Sequence, residues 1–107
     1  MAKTITLNFD DKEYVLEFNR ETIMALERQG FNINEFGNKP ITNVFTLFQG
    51  AFKKNHASVP SNKILTMFKY IDNVEGLGRE LAEMYSEALD SLEDGDDSKK
   101  VKWEKSW

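Results

Sequence analysis

Polar and apolar positions alternate from the first residues. In Thr4-Ile5-Thr6-Leu7-Asn8-Phe9, the side chains of Ile5, Leu7 and Phe9 fall on one face. After Asp10-Asp11-Lys12 the same two-residue period returns at Tyr14, Leu16 and Phe18, which predicts a β-hairpin. Asp11 stands where a type I′ turn favours glycine, so the pattern leaves the turn geometry open. A two-stranded hairpin is marginal in water and needs an apolar surface to lie on.

From Asn19 the period lengthens to that of a helix. Asn19 is a cap residue, Ile23, Met24 and Leu26 form the apolar side, and Gly30 ends the segment in the C′ role. Phe31 to Gly37 reads as an irregular or short 3₁₀ connection with three apolar anchors, Phe31, Ile33 and Phe36. Pro40, or Thr42 just beyond, opens a second helix with Ile41, Val44, Phe45, Phe48 and Phe52 at helical spacing. Leu47 and Ala51 widen this stripe, as in a helix buried on more than one side. Gly50 inside it costs about 1 kcal/mol relative to alanine, which points to close packing against a neighbour.

A lysine-containing loop, Lys53 to Pro60, leads to Ser61, the expected cap of a third helix with Ile64, Leu65, Phe68 and Ile71 inward. Asp72-Asn73 begins a fourth, with Leu77, Leu81, Met84 or Tyr85, Ala88 and Leu92 in the stripe. Gly76 and Gly78 weaken its first turns, so a later start is also compatible with the pattern. The expected fold is α+β: one domain over residues 1–92, an N-terminal hairpin packed on about four helices. An acidic, flexible linker and an extended aromatic tail follow over residues 93–107.

Composition narrows the function. The net charge is −4, with 10 basic and 13 acidic residues through Leu92, which is neither a nucleic-acid footprint nor a strong acidic field. With no cysteine, disulfides, thiolate metal sites and thiol nucleophiles are excluded. No apolar run reaches the roughly 18 residues of a membrane span, and the start of the chain does not read as a leader, so a cytoplasmic protein is expected.

Catalytic constellations are equally thin. His56, the single histidine, lies in the predicted loop among lysines and reads as a surface residue. A catalytic imidazole or a metal site would need further partners. Gly76-Leu77-Gly78 is half of a dinucleotide fingerprint without its strand or its third glycine. Glu80, Glu83 and Glu87 share a helix face and read as solvated carboxylates, and Asp10-Asp11 reads as a turn. The expectation is a non-enzymatic protein with no cofactor, no metal and a protein partner. Phe45, Phe48, Phe52 and Phe68 read first as core. Phe45, Phe48 and Phe52 also stand as candidates for a partner groove, because a small sheet cannot cover every face of helix two.

Both tryptophans lie in the final segment, Val101-Lys102-Trp103-Glu104-Lys105-Ser106-Trp107. Extended, it presents Val101, Trp103, Lys105 and Trp107 on one side, a pattern suited to strand addition at a sheet edge. Val101, Trp103 and Trp107 are therefore candidate partner-binding residues. The edge could belong to the chain's own hairpin, to a second copy in self-association, or to another protein.

Several stretches, in order along the chain, carry a resemblance. They are Lys12-Glu13-Tyr14-Val15-Leu16-Glu17-Phe18 with Arg20-Glu21-Thr22, then Met24 through Ile33, Lys39-Pro40 and Gly50-Ala51-Phe52. Leu81-Ala82-Glu83-Met84-Tyr85 and Trp103-Glu104-Lys105-Ser106-Trp107 complete the set. In these the chain resembles short proteins of tailed-phage and prophage tail modules, usually treated as tail assembly chaperones or as tail-module proteins of unassigned role. The resemblance implies a non-catalytic protein of the bacterial host cytoplasm. Such a protein binds the tape-measure protein, tail-tube subunits, or both during tail morphogenesis. A permanent structural piece of the tail or neck, and a small host-interaction or regulatory protein, are the alternatives at this stage.

Overall fold

The computed structural model of the 107-residue chain describes residues 3–38, 40–94 and 104–106. Strand β1 (Ile5–Phe9) pairs antiparallel with β2 (Lys12–Leu16), with Phe9 opposite Lys12 and Ile5 opposite Leu16. The two-residue turn between them places Asp10 at φ 51° and Asp11 at φ 63°. Two consecutive left-handed residues make a type I′ turn, whose twist matches that of the strands. Aspartate tolerates this conformation better than most non-glycine residues.

Helix α1 (Arg20–Arg28) follows, then a 3₁₀ segment (Ile33–Asn38), α2 (Pro40–Ala51), α3 (Ser61–Lys69) and α4 (Val74–Asp94). The α+β architecture is that of a hairpin followed by four helices. Helix α1 is fixed at both ends. At its start the Asn19 side chain accepts from the Thr22 N–H at 2.9 Å, and Thr22 Oγ1 accepts from the Asn19 N–H at 2.7 Å. At its end the Gly30 N–H reaches the Glu27 carbonyl and the Phe31 N–H reaches that of Leu26, with Gly30 at φ 91°. This is a Schellman closure, in which glycine takes the left-handed position and the next residue is apolar. Phe31 is accordingly buried, and Tyr85 meets it edge-on at 5.2 Å.

Helix α2 is the spine. Val44, Leu47, Phe48, Ala51 and Phe52 are buried along it, and α1, α3, α4 and the 3₁₀ segment all pack against it. A Cβ at Gly50 would stand 2.9 Å from Leu26 Cδ2, so α1 and α2 approach as closely as a missing side chain permits. From the hairpin come Tyr14, Leu16 and Phe18, and from α4 come Leu81, Met84 and Tyr85. Enclosure raises the Tyr85 phenol above its ordinary value, and the charge of Glu27 acts in the same direction.

Several outward-facing positions depart from the periodic reading. Met24 (47% exposed), Ile41 (62%) and Leu65 (43%) point to solvent. In α1 the inner row is Thr22, Ile23 and Leu26, and in α3 it is Ile64, Met67 and Phe68, with Ile71 following beyond the helix end. Met24 and Leu65 sit one residue round from those rows, a rotation of about 100°. Ile41 lies one turn before the covered part of α2. Ser61 is the first helical residue rather than the cap: Pro60 holds the cap position with no side-chain bond, and Ser61 Oγ instead accepts from Gln49 Nε2 at 2.7 Å. Helix α4 starts early despite its glycines. Asn73 Oδ1 accepts from the Gly76 N–H at 3.0 Å, and a Cβ at Gly76 would fall 2.4 Å from Asn73 Nδ2, so glycine there makes room for the capping side chain. At its other end α4 carries on through Glu93 and Asp94. The side chains of Phe36 and Leu92 lie outside the described set.

Candidate interaction surface

In a hairpin closed by a two-residue turn, the pair flanking the turn exchanges hydrogen bonds and every second pair repeats this. Ile5, Leu7 and Phe9 therefore spend their backbone groups on Leu16, Tyr14 and Lys12. Thr6 and Asn8 on β1, and Glu13 and Val15 on β2, direct their N–H and C=O groups outward.

The outward side of β2 is closed around Val15 by the loop after α2. The Val15 N–H donates to His56 Nε2 at 2.9 Å, and the Val15 carbonyl accepts from Asn55 Nδ2 at 3.2 Å. Just beyond the strand, the Glu17 N–H donates to the Ala51 carbonyl at 3.0 Å, and the Glu17 carboxylate pairs with Lys54. His56 is thus no free surface residue. It is half-buried, its ring meets Tyr14 edge-on at 5.2 Å and Phe52 at 6.3 Å, and its backbone N–H donates to the Phe52 carbonyl at 2.8 Å. Because Nε2 accepts, the neutral ring carries its proton on Nδ1. The histidine is a structural pin that joins β2 to the loop after α2.

The outward side of β1 is different. Among the described residues no strand pairs with it, and the sheet has two strands only. Thr6 and Asn8 are exposed, while Ile5, Leu7 and Phe9 are half-buried on the inner face. At one end Lys3 pairs with Glu83 and, at 3.5 Å, with Glu87. At the other, Phe9 lies 6.0 Å from Tyr70, which is 72% exposed. Lys3, just before β1, thus lies beside the middle of α4, while the far end of the strand lies beside the loop that precedes α4. The outer edge of β1 is a row of backbone groups without a strand partner among the described residues, above a partly apolar floor and bounded by a charged end and an aromatic end. The hydrogen bond from Lys3 to Glu83 holds that ammonium above its ordinary value of 10.5.

The phenylalanine group does not form a groove. Phe48 and Phe52 are 0% exposed, and half-buried Phe45 is covered by Phe68 of α3, edge-on at 5.2 Å. Helices, not the sheet, close that side of α2, so these side chains face each other rather than a partner. Val101, Trp103 and Trp107 lie outside the described residues, while Glu104, Lys105 and Ser106 are exposed and in no regular element. A shallow groove of about 240 Å³ runs between α1 and α2, lined by Glu21, Ala25, Gln29, Thr46, Gln49 and Lys53 among others. Its lining mixes charges and amides with no convergent set.

Among the described residues no group of three His, Asp or Glu could hold a metal ion, and no helix is long and apolar enough to cross a membrane. Asn55, His56 and Tyr70 are the residues that the periodic reading overlooked. The first two carry no periodicity, and only their hydrogen-bonding capacity marks them as able to cap a strand. No curated protein and no solved structure matches the chain. Over residues 1–107 it matches the family model described as a domain of unknown function (DUF5055), and it belongs to that family.

Proposed function

We propose that this protein is a non-catalytic, protein-binding assembly factor of a phage or prophage tail module. In this reading it works in the host cytoplasm and shelters the tape-measure protein, tail-tube subunits or both before they assemble. The observation that carries the binding reading is the open edge of β1 beside Phe9 and exposed Tyr70, next to a β2 edge already closed. An extended segment of a partner would gain main-chain hydrogen bonds from Thr6 and Asn8 and apolar contact from Ile5, Leu7 and Phe9. The resemblance along the chain supplies the identity of that partner, since an unassembled tape measure or tube subunit exposes apolar segments. The mildly acidic surface would keep such a complex dispersed.

Co-expression with the tape-measure protein of the same tail module tests this. The expected result is a larger soluble fraction of that protein and a stable complex, both lost in Leu7→Lys together with Tyr70→Ser. Unchanged solubility and no complex with either the tape-measure or the tube protein would remove the reading. Finding the chain in purified virions at fixed stoichiometry would convert it into a structural component.

A further inference from the structure

The open edge has a definite chemistry. Its backbone groups repeat at Thr6 and Asn8, its inner face is apolar at Ile5, Leu7 and Phe9, and its outer face is polar. A strand that fits must be apolar at every second position and polar between. Residues 101–107 have that pattern. Trp103 and Trp107 are four residues apart, as Ile5 and Phe9 are. In the antiparallel register that sets Trp107 opposite Ile5, Trp103 falls opposite Phe9, beside exposed Tyr70. The same register sets Ser106 against Thr6, Glu104 against Asn8 and Lys102 against Asp10 of the turn, where the charges are opposite.

Reach decides whose segment this is. Lys3 is level with Glu83 and Glu87, so Asp94 at the end of α4 lies about 10 Å past that end of β1. The opposite end, at Phe9, is about 20 Å further along the strand. Antiparallel entry starts at the Phe9 end, so the chain's own segment would have to travel about 30 Å. The seven residue steps from Asp94 to Val101 span at most about 24 Å. For the edge of a second copy, the distance to cross is set by how the two copies dock and not by the fold of one chain.

We infer that the edge of β1 takes residues 101–107 of a second copy as an antiparallel third strand, each copy serving the other in a closed two-fold dimer. The inference rests on the strand-addition reading of β1 and names what fills that edge when no other protein does.

The test uses the full chain at concentrations from about 1 to about 100 µM, by sedimentation equilibrium together with amide exchange. A dimer is expected, in which the Thr6 and Asn8 amides gain protection as the dimer forms. Replacing both Trp103→Ser and Trp107→Ser should weaken dimerisation at least about tenfold and return both amides to fast exchange, with the circular-dichroism melt preserved. A monomer at the highest concentration, a dimer with both amides unprotected, or a Trp variant as dimeric as its parent would each overturn the inference. So would protected amides in a monomer, which mean capture by the chain's own segment. Tape-measure binding by the same Trp variant is read separately: a monomer that still captures that protein keeps the strand-addition reading whatever becomes of the exchange.

Discussion

Strands β1 and β2 are each five residues long and share a tight turn, yet the outer edge of β2 is capped around Val15 while that of β1 has no strand beside it among the described residues. On β2 the groups around Val15 meet side chains from a loop of lysines, an asparagine and a histidine. On β1 the same kinds of group at Thr6 and Asn8 meet nothing among the described residues. An edge strand invites pairing with other chains, and proteins commonly blunt or cover it. Here one edge is capped at Val15 by polar side chains, and its twin over an apolar floor has no cap among the described residues. The bare edge therefore stands out as a place to bind, because the molecule demonstrably has the means to close one.

The comparison can be broken from beneath. Phe52, fully buried, supports Tyr14 and the His56 ring that caps β2. Phe52→Ala should cost about 3–5 kcal/mol in urea unfolding, enough to leave the domain marginal. If the cost is below about 1 kcal/mol, the closed edge does not depend on that ring.

A proline on each strand sharpens the contrast. Val15→Pro removes the donor to His56 and should cost about 2–3 kcal/mol, whereas Thr6→Pro removes an N–H with no partner among the described residues and, in the monomer, should cost less than about 1 kcal/mol. Equal losses at the two positions would mean that the edges are energetically alike. Next in size, His56→Ala leaves the Val15 N–H without its acceptor and should cost about 1–3 kcal/mol, with His56→Gln recovering part of it by returning an acceptor. Faster exchange of the Val15 amide in the alanine variant, with Leu26 unchanged, would locate the effect.

The smallest change is at the charged end of the open edge. Lys3→Ala should hardly move the melting temperature, because both pairs are exposed and screened. The folded ammonium has its pKa raised, so its contribution is complete below the ordinary 10.5. That contribution fades as the pH rises through the higher folded value. A melting curve whose alkaline decline is the same with and without Lys3 would remove that contribution.

Where local physics decides, the sequence was readable. Two-residue alternation marked both strands, Asn19 and Gly30 marked the ends of α1, and Gly50 in an apolar stripe marked a close approach to a neighbour, which the fold identifies as Leu26. Where tertiary context decides, it was not. Met24, Ile41 and Leu65 are apolar at near-helical spacing, and only the placement of neighbouring helices turns them outward. His56 in a lysine loop reads as solvated until β2 is laid beside it. The candidate site divides in the same way. The strand pattern of the tail was visible from residues alone, but the edge it matches emerged only when one side of the hairpin proved to be closed.

The seal on β2 also has a kinetic consequence. It joins Val15 to His56 across 41 positions and needs α2 to hold both the Ala51 carbonyl and the start of the capping loop. The strands and their turn are local and can form within microseconds, but this seal waits for loop closure over the whole of α1 and α2. The Val15 amide should therefore become protected together with α2 and not with the turn, which pulse-labelling during refolding would time. Until then both edges of the hairpin are open, so the newly made chain passes through an interval of sticky strands that the finished fold halves.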